Sequence, residues 1–195
     1  MTRFFDLLFS FLGLILLIPV FLIIAIFILA DSGTPVFFRQ SRVGRGNRDF
    51  FLLKFRTMRS GAELGGSLTV GSSDSRITRT GLFLRKYKLD ELPQLFNVLK
   101  GDMSLVGPRP EVRKYVDLYT PEQLSVLQLR PGITDYASLE YFSENELLGK
   151  AVDPEQTYIR EIMPAKLALN RRYIENPGLG NYFLILIKTM LRIVR

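Results

Sequence analysis

The sequence predicts a mostly helical α+β protein, in which a membrane-embedded N-terminal helix precedes a small cytoplasmic domain. Residues 7–30 form one long apolar run, and two β-patterned segments separated by a Gly-rich turn follow it. Helix start and stop signals then recur through the C-terminal half. At 195 residues the chain is long enough for one domain with its own core. We therefore expect a membrane-embedded segment at 1–31 and a single cytoplasmic domain at 32–195.

Composition excludes several classes of site. The chain has no Cys and no His, so it has neither disulfides nor thiolate or His-ligated metal sites, and His cannot serve as an acid or base. Any catalysis must use carboxylates, hydroxyls, Lys, Arg and a bound ion. The net charge of +7 indicates an anionic partner, which at this stage is nucleic acid, anionic lipid or a phosphorylated substrate.

The apolar run at 7–30 has the length of a bilayer core, because an α-helix rises about 1.5 Å per residue. It is longer than the apolar region of a signal peptide, which has about 7–15 residues. Residues 32–59 are rich in cations and contain Asp49 as their only acid. The positive-inside rule therefore places that segment in the cytoplasm. Its cations are Arg39, Arg42, Arg45, Arg48, Lys54, Arg56 and Arg59.

The path of this helix through the membrane depends on Pro19. Proline removes one helical hydrogen bond and clashes with the carbonyl four residues earlier, so we expect a kink there. Arg3 and Asp6 would prefer an interface to a complete crossing. These features favour a re-entrant helix, while a plain span stays open because proline also occurs in spanning helices.

The next elements are predicted as a β-hairpin and a loop. Residues 36–38 and 50–57 read as strands joined by the turn at 44–47. The period of two places Lys54 and Arg56 on one face of the second strand, where they could reach a common ligand. Residues 60–81 are rich in Gly, Ser and Thr, which is typical of a lid, a binding loop or a disordered connector.

The stretch 82–110 contains an acidic pair surrounded by cations. Asp90 and Glu91 are adjacent, and the surrounding cations are Arg85, Lys86, Lys88 and Arg109. Carboxylates suit Mg²⁺, and Lys and Arg suit phosphate oxygens, so the pattern indicates chemistry on phosphates. The alternative is an ordinary helix start, with Asp90 at or near the N-cap and Pro93 in the first turn.

The C-terminal half is predicted from caps and composition. A capping box at Thr120 opens a helix to about Leu129, and 137–153 reads as irregular, with solvated acids. A helix over 154–176 should be interrupted at Pro164. The tail, 182–195, is amphipathic and reads either as an interfacial membrane helix or as a core-packing helix with a wet basic stripe. The stripe comprises Lys188, Arg192 and Arg195.

Four strings follow one another in a recognisable order. They are KFRTM at 54–58, LRKYKLDELPQL at 84–95, GDMSLVGPRP at 101–110 and RPGIT at 130–134. In these strings the chain resembles the bacterial sugar transferase family, the monotopic phosphoglycosyl transferases that begin glycan assembly on polyprenyl phosphate. The resemblance covers roughly residues 1–136. After GIT the family usually has Gly-Trp-Ala-Gln, whereas this chain has Asp-Tyr-Ala-Ser from position 135.

The resemblance implies a reaction. A UDP-sugar would donate its sugar 1-phosphate to polyprenyl (undecaprenyl) phosphate, with release of UMP, as the first membrane step of glycoconjugate or polysaccharide assembly. It implies that Asp90 attacks phosphorus and contributes to binding Mg²⁺, and that Glu91 holds the metal or manages protons. We expect Lys54, Arg85 and Arg109 to bind phosphate oxygens. The family's helix is re-entrant, which implies an enzyme on the cytoplasmic face of the bacterial inner membrane, in contact with membrane lipids.

The sequence leaves two other functions to consider. A non-catalytic, membrane-tethered basic module would bind anionic lipid or nucleic acid, but the sequence has no RNP-like or helix-turn-helix pattern, so we expect no nucleic-acid partner. A lipid-phosphate hydrolase would use a similar intermediate and pass it to water. The identity of the sugar, the pathway and the oligomeric state stay open at this stage.

Overall fold

The structure is a computed structural model that describes residues 1–59, 61 and 74–194. Its helices are α1 Thr2–Ser32, α2 Arg79–Lys86, α3 Gln94–Lys100, α4 Arg113–Val116, α5 Tyr136–Glu140, α6 Glu144–Gly149, α7 Pro154–Thr157, α8 Met163–Glu175 and α9 Leu179–Val194. Its strands are β1 Phe37–Val43, β2 Asp49–Phe55, β3 Ser104–Val106 and β4 Gly132–Thr134. The α+β class with mostly helical content is confirmed.

Helix α1 is long and apolar enough to cross a membrane, by length and composition. It continues through Pro19 as one helix. The residues Asp6, Ser10, Ile24 and Ile28 are buried along one stripe, whereas most of the other apolar side chains of α1 are exposed. Such a large exposed apolar surface suits contact with lipid. The kink at Pro19 and the re-entrant path stay predictions.

The N-terminal end of α1 is tied to the domain by polar contacts. The buried carboxylate of Asp6 accepts hydrogen bonds from the Ser104 hydroxyl, the Leu105 amide and the Tyr182 hydroxyl, each at 2.9 Å. Arg3 donates to the Met103 carbonyl at 3.2 Å. A charged group in an apolar helix is thus satisfied by the start of β3 and by α9, which fixes α1 against both.

The C-terminal end of α1 is capped by Arg56. Its guanidinium donates to the carbonyls of Ser32 at 2.9 Å and Thr34 at 2.6 Å, and also to that of Gly33. The last carbonyls of a helix lack partners within the helix, so a cation there completes their hydrogen bonding. Lys54 binds a different group within the chain, described below, although both cations line one cavity, so a common ligand stays a prediction.

The predicted hairpin is confirmed, with a longer first strand. β1 and β2 pair antiparallel from Phe37 opposite Phe55 to Val43 opposite Asp49. The turn between them contains Gly46 at φ 68° and Asn47 at φ 60°, a conformation that Gly and Asn tolerate best.

A second sheet was missed by the sequence analysis. β3 and β4 pair in parallel, with Ser104 opposite Gly132 and Val106 opposite Thr134. A Cβ atom on Gly132 would lie 2.1 Å from the backbone nitrogen of Gly107, so these two glycines permit the close approach. The strands have three residues each, too few for a periodic signal.

The C-terminal half differs from the prediction in detail. The reciprocal cap at Thr120 is present, since its hydroxyl accepts from the Gln123 amide and the Gln123 side chain accepts from the Thr120 amide. It opens a 3₁₀ helix, Gln123–Gln128, in place of an α-helix. The segment 137–153 is not irregular, because most of α5 and all of α6 lie there.

The predicted interruption near Pro164 is confirmed as a π-helical turn, Tyr158–Ile162, between α7 and α8. The wider turn accommodates a proline that lacks an N–H and crowds the preceding turn. Helix α8 ends at Glu175 with Asn176 as its C-cap, as predicted.

One side of helix α9 packs in the core, as one of the two interpretations of the tail predicted. Tyr182 and Ile185 are fully buried in a core cluster with Leu52, Val98 and Met103. The opposite side exposes apolar residues, listed as Leu184, Ile187, Met190 and Leu191. That α9 lies in a membrane interface stays a prediction, and Arg195 lies outside the described residues.

Candidate active site

A cavity of about 940 Å³ collects the residues that the sequence analysis singled out. The acidic pair Asp90 and Glu91 lines it, together with Lys54, Arg85 and Arg109. These residues come from β2, α2, the turn before α3 and the segment after β3. The fold therefore brings all five predicted site residues to one cavity, while Pro19 lies away from them inside α1.

The backbone around the acidic pair is unlike the predicted helix start. Asp90 lies in a separate 3₁₀ turn, Leu89–Glu91, and Pro93 is the N-cap residue of α3. Asp90 therefore lies near the N-cap of α3 but not on it, and Pro93, expected in the first turn, is the N-cap residue itself. Lys88 precedes the turn at φ 56°, a left-handed conformation that redirects the chain after α2. Because Pro93 has no N–H to donate, it starts a new helix instead of continuing the turn.

Asn97 fixes α3 against the hairpin. Its carboxamide accepts from the Leu53 amide at 2.9 Å and donates to the Phe51 carbonyl at 2.8 Å. These two bonds satisfy backbone groups of β2 next to Lys54. The side chain of Lys54 is thereby set opposite the turn that carries the acids.

Glu91 is held by two cations. Its Oε1 lies 3.0 Å from the Nζ of Lys54, and the guanidinium of Arg109 binds both carboxylate oxygens, with Nη1 at 3.1 Å from Oε2. Burial by itself would raise the pKa of Glu91, but the charges of Arg109 and Lys54 together hold that pKa well below its usual range. Glu91 is thus an ionised anchor.

The pKa values of Lys54 and Arg109 shift in opposite directions. Burial lowers the pKa of Lys54, and the Glu91 charge opposes this effect. The Glu91 charge and hydrogen bond raise the pKa of Arg109, which stays protonated. The side chain of Lys54 is 17% exposed and that of Arg109 is 31% exposed, so both still reach the cavity.

Asp90 is in a different electrostatic position. It takes no part in the ion pairs that hold Glu91, and it is buried. Burial raises its pKa, the charge of Lys54 lowers it, and the neighbouring Glu91 charge raises it further. The net direction is upward, which describes a carboxylate short of compensating charge.

Arg85 extends from α2 toward the same cavity. Its Nε donates to the Thr57 hydroxyl at 2.9 Å, which orients the guanidinium. Burial lowers its pKa, and the charge of Asp90 opposes this. Arg85 and Asp90 therefore interact, as expected for a cation near the acidic pair. Helix α2 itself was not predicted; its N-cap Thr78 accepts from the Gly81 amide at 2.9 Å.

Arg109 is positioned by residues that the sequence analysis did not assign to the site. Its backbone N–H donates to the fully buried Asp135 at 3.0 Å. On its other side, Arg42 donates to the Pro110 carbonyl and to Glu111, both at 3.1 Å. The Tyr158 hydroxyl also donates to Glu111. The positions of these residues in the sequence do not indicate that they surround Arg109. The one sign is that Asp135 departs from the family pattern.

The predicted loop at 60–81 lies partly within the described residues, and the acids of 137–153 lie wholly within them. Residues 60 and 62–73 of the predicted loop lie outside the described residues, and within 74–81 Asp74 pairs with Arg76. Glu144, predicted to be solvated, instead pairs with Lys166 at 2.7 Å. Within the described ranges no group of three or more acidic side chains could hold a metal ion.

The chain is similar to known proteins over its whole length. A family model described as bacterial sugar transferase matches residues 1–195. The chain is 40% identical over 188 residues to the UDP-N-acetylgalactosamine-undecaprenyl-phosphate N-acetylgalactosaminephosphotransferase of Aeromonas hydrophila, covering 95% of this chain and 41% of that protein. It is 36% identical over 175 residues to the UDP-glucose:undecaprenyl-phosphate glucose-1-phosphate transferase of Caulobacter vibrioides, covering 88% of this chain and 61% of that protein.

The chain thus spans about half the length of these two relatives. The match nevertheless covers the whole of the present sequence, including the acidic pair, the cations around it and α1. This chain belongs to the bacterial sugar transferase family.

Proposed function

We propose that this chain transfers a sugar 1-phosphate from a UDP-sugar to polyprenyl phosphate, in the undecaprenyl form, and releases UMP. One observation carries the proposal. Glu91 is locked between Lys54 and Arg109, while its neighbour Asp90 lines the same cavity outside those ion pairs. The names of the relatives, which contain a UDP-sugar and undecaprenyl phosphate, support the choice of substrates.

Binding of the donor follows from the cations. Lys54 and Arg109 each have a partly exposed side chain at the cavity, and Arg85 is oriented by Thr57. A diphosphate adds negative charge that these three groups can share with Glu91. Fixed cations stabilise the charge that spreads over phosphoryl oxygens during transfer. The guanidinium groups add paired donors that match phosphate oxygens.

Asp90 is the nucleophile in this proposal. One carboxylate oxygen forms a bond to the sugar-side phosphorus, the bond from that phosphorus to the bridging oxygen breaks, and UMP leaves with the electron pair. An oxygen of polyprenyl phosphate then attacks the same phosphorus and releases the Asp90 carboxylate. The products are UMP and a polyprenyl diphosphate sugar. Since only the ionised carboxylate attacks, Lys54 and Arg85 are needed to keep Asp90 charged against its burial.

The residues present fit a bound Mg²⁺. Both oxygens of Glu91 are occupied by cations, which leaves Asp90 as the member of the pair that would hold the ion. Mg²⁺ is usually bound by one or two carboxylates together with substrate phosphates, so a full protein cage is not required. When bound, Mg²⁺ supplies charge neutralisation at the phosphates and favours the departure of UMP.

The packing of α1 supports a re-entrant path. Arg3 and Asp6 near its start contact Met103 and Ser104, and its final residues are capped by Arg56 of the same domain. If the domain lies on the cytoplasmic face, both ends of α1 are on that face too. The cavity would then lie near headgroup depth, where the phosphate of a polyprenyl lipid resides.

The test uses purified protein with a panel of UDP-sugars, undecaprenyl phosphate and Mg²⁺, and follows UMP release. Asp90→Asn should abolish transfer and prevent a trapped phosphosugar adduct, which intact-mass spectrometry detects. If Asp90→Asn protein released UMP at the unmutated rate, the assignment of the nucleophile would be wrong. Release of UMP at a steady rate without polyprenyl phosphate would indicate a hydrolase, whereas a single-turnover burst indicates a transferase.

A further inference from the structure

The cavity has a second part that the phosphate chemistry does not use. Besides the cations, it is lined by side chains of an apolar cluster that packs around α8. The members of this apolar wall are Tyr115, Val126, Leu148, Tyr158, Met163 and Leu167. Glu111 connects the two parts, because it binds Arg42 beside the Arg109 segment and accepts from the Tyr158 hydroxyl of the wall.

Asn170 is the polar exception beside this wall. It lies on α8 one turn after Lys166, lines the cavity and is 4% exposed. Within the described residues its carboxamide makes no hydrogen bond, and its Oδ1 is fully enclosed without a partner. Leaving a buried polar group unsatisfied costs about 1–3 kcal/mol. A ligand that supplies the missing donor would remove this cost.

Lys166 and Glu144 do not satisfy Asn170. They bind each other at 2.7 Å, and the Lys166 ammonium lies 5.3 Å from the centre of the Tyr158 ring. The charges that line this part of the cavity are thus already paired. What is left for a ligand is a set of apolar and aromatic surfaces with the buried carboxamide of Asn170 beside them.

We infer that this part of the cavity, the Asn170 subsite, binds the pyrimidine base of the nucleotide donor. A flat ring suits walls made of Tyr, Leu and Met, and a uracil edge offers an N3–H donor beside carbonyl acceptors. A carboxamide pairs with that edge through its oxygen and its NH₂ group. A sugar ring would instead present several hydroxyls, which need more polar partners than the wall offers.

The inference rests on the proposed function and adds to it a residue that selects the nucleotide. In this arrangement the base lies against α8, and the diphosphate reaches the cations around Glu91. Since the two parts share one cavity of about 940 Å³, a nucleotide and its sugar fit within it. Asn170 contacts the substrate without taking part in the chemistry.

The experiment measures binding, by calorimetry on the full chain in nanodiscs, of UMP and of UMP methylated at N3. The unmodified protein should bind UMP about tenfold more tightly than the N3-methyl analogue, because the methyl group removes the donor and adds bulk. Asn170→Ala and Asn170→Leu should weaken UMP binding about tenfold and lose the discrimination. Asn176→Ala, an exposed position at the end of the same helix, is the matched control and should bind both ligands as the unmodified protein does.

Folding is checked separately by thermal unfolding. Asn170→Leu removes an unsatisfied buried amide, so its midpoint should be equal to or above that of the unmodified protein while UMP binding is weakened about tenfold. Undiminished UMP binding with intact discrimination in Asn170→Leu would overturn the inference. So would a variant whose only change is in the choice among UDP-sugars, which would place the sugar there. If the unmodified protein bound no UMP at all, the proposed function itself would fail.

Discussion

Replacing Glu91 with Gln tests whether this residue is the anchor of the cationic cluster. The substitution keeps the shape of the side chain and removes its charge. Lys54 and Arg109 would then face each other across a neutral amide, with Asp90 near Lys54 and Asp135 near Arg109 left to compensate. Because Arg109 binds both oxygens of Glu91, two charge-assisted hydrogen bonds would be weakened together.

The expected loss of stability can be bounded from the structure. Removing one partner of a buried ion pair costs about 3–5 kcal/mol. The side chain of Glu91 is 13% exposed and that of Arg109 is 31% exposed, so cavity water recovers part of this. We expect the free energy of unfolding to fall by about 2–3 kcal/mol. For a chain of this size that corresponds to a drop of roughly 4–10 °C in the melting temperature.

The assay is thermal unfolding in a fixed detergent, combined with a double-substitution cycle. Lys54→Met and Glu91→Gln together should cost less than the sum of the single changes, with a coupling of at least about 1 kcal/mol. Glu122→Gln is the matched control, since its pair with Arg171 is exposed and should contribute less than about 1 kcal/mol. If Glu91→Gln and Glu122→Gln melted at the same temperature, or the cycle showed no coupling, the anchoring argument would be refuted.

Three further outcomes are expected. Gly132→Ala should prevent the pairing of β3 and β4, because the new methyl would lie 2.1 Å from the Gly107 nitrogen; the soluble yield should collapse, whereas Gly180→Ala, in open space on α9, should be neutral or slightly stabilising. Asp6→Ala should leave the Tyr182 hydroxyl and two other donors unsatisfied, so the free energy of unfolding should fall by about 3 kcal/mol. Helix α1 should then become susceptible to limited proteolysis. Unchanged digestion would contradict this contact. Chelation by EDTA should abolish UMP release and added Mg²⁺ should restore it; release that persists in EDTA would remove the metal from the proposal.

The elements that the sequence predicted well have signals within a short window. The hairpin has alternating residues and a Gly-rich turn, and the interruption near Pro164 follows from the chemistry of one residue. The site residues Asp90 and Glu91 were found because cations surround them within the same stretch. Lys54 was recognised through the family motif, since no local pattern relates β2 to a turn nearly forty residues later.

What the sequence did not predict depends on contacts between distant segments. The β3–β4 sheet joins strands of three residues, and its strongest local signs are two glycines whose importance lies in close packing. Asp135 looked like a departure from a family pattern, yet it is fully buried and accepts from the backbone of Arg109. Arg56 was expected to act beside Lys54, and its guanidinium caps α1. In each case the tertiary structure decides the function of the side chain, and the local periodicity of the sequence does not predict it.

In the proposed reaction the two acids of the pair, which are adjacent in sequence, have different tasks. Glu91 gives its charge to Lys54 and Arg109, which keeps those cations in place before any substrate binds. If Asp90 held them instead, its oxygens would be occupied and its basicity lowered, and it would be a poorer nucleophile. Burial raises the pKa of Asp90 against the opposing charge of Lys54, and Asp90 lines the cavity outside the ion pairs of Glu91. In the proposed reaction, a single Asp in this position would have to bind the phosphate-binding cations and also attack phosphorus. With two acids on one 3₁₀ turn, each acid has one of these roles.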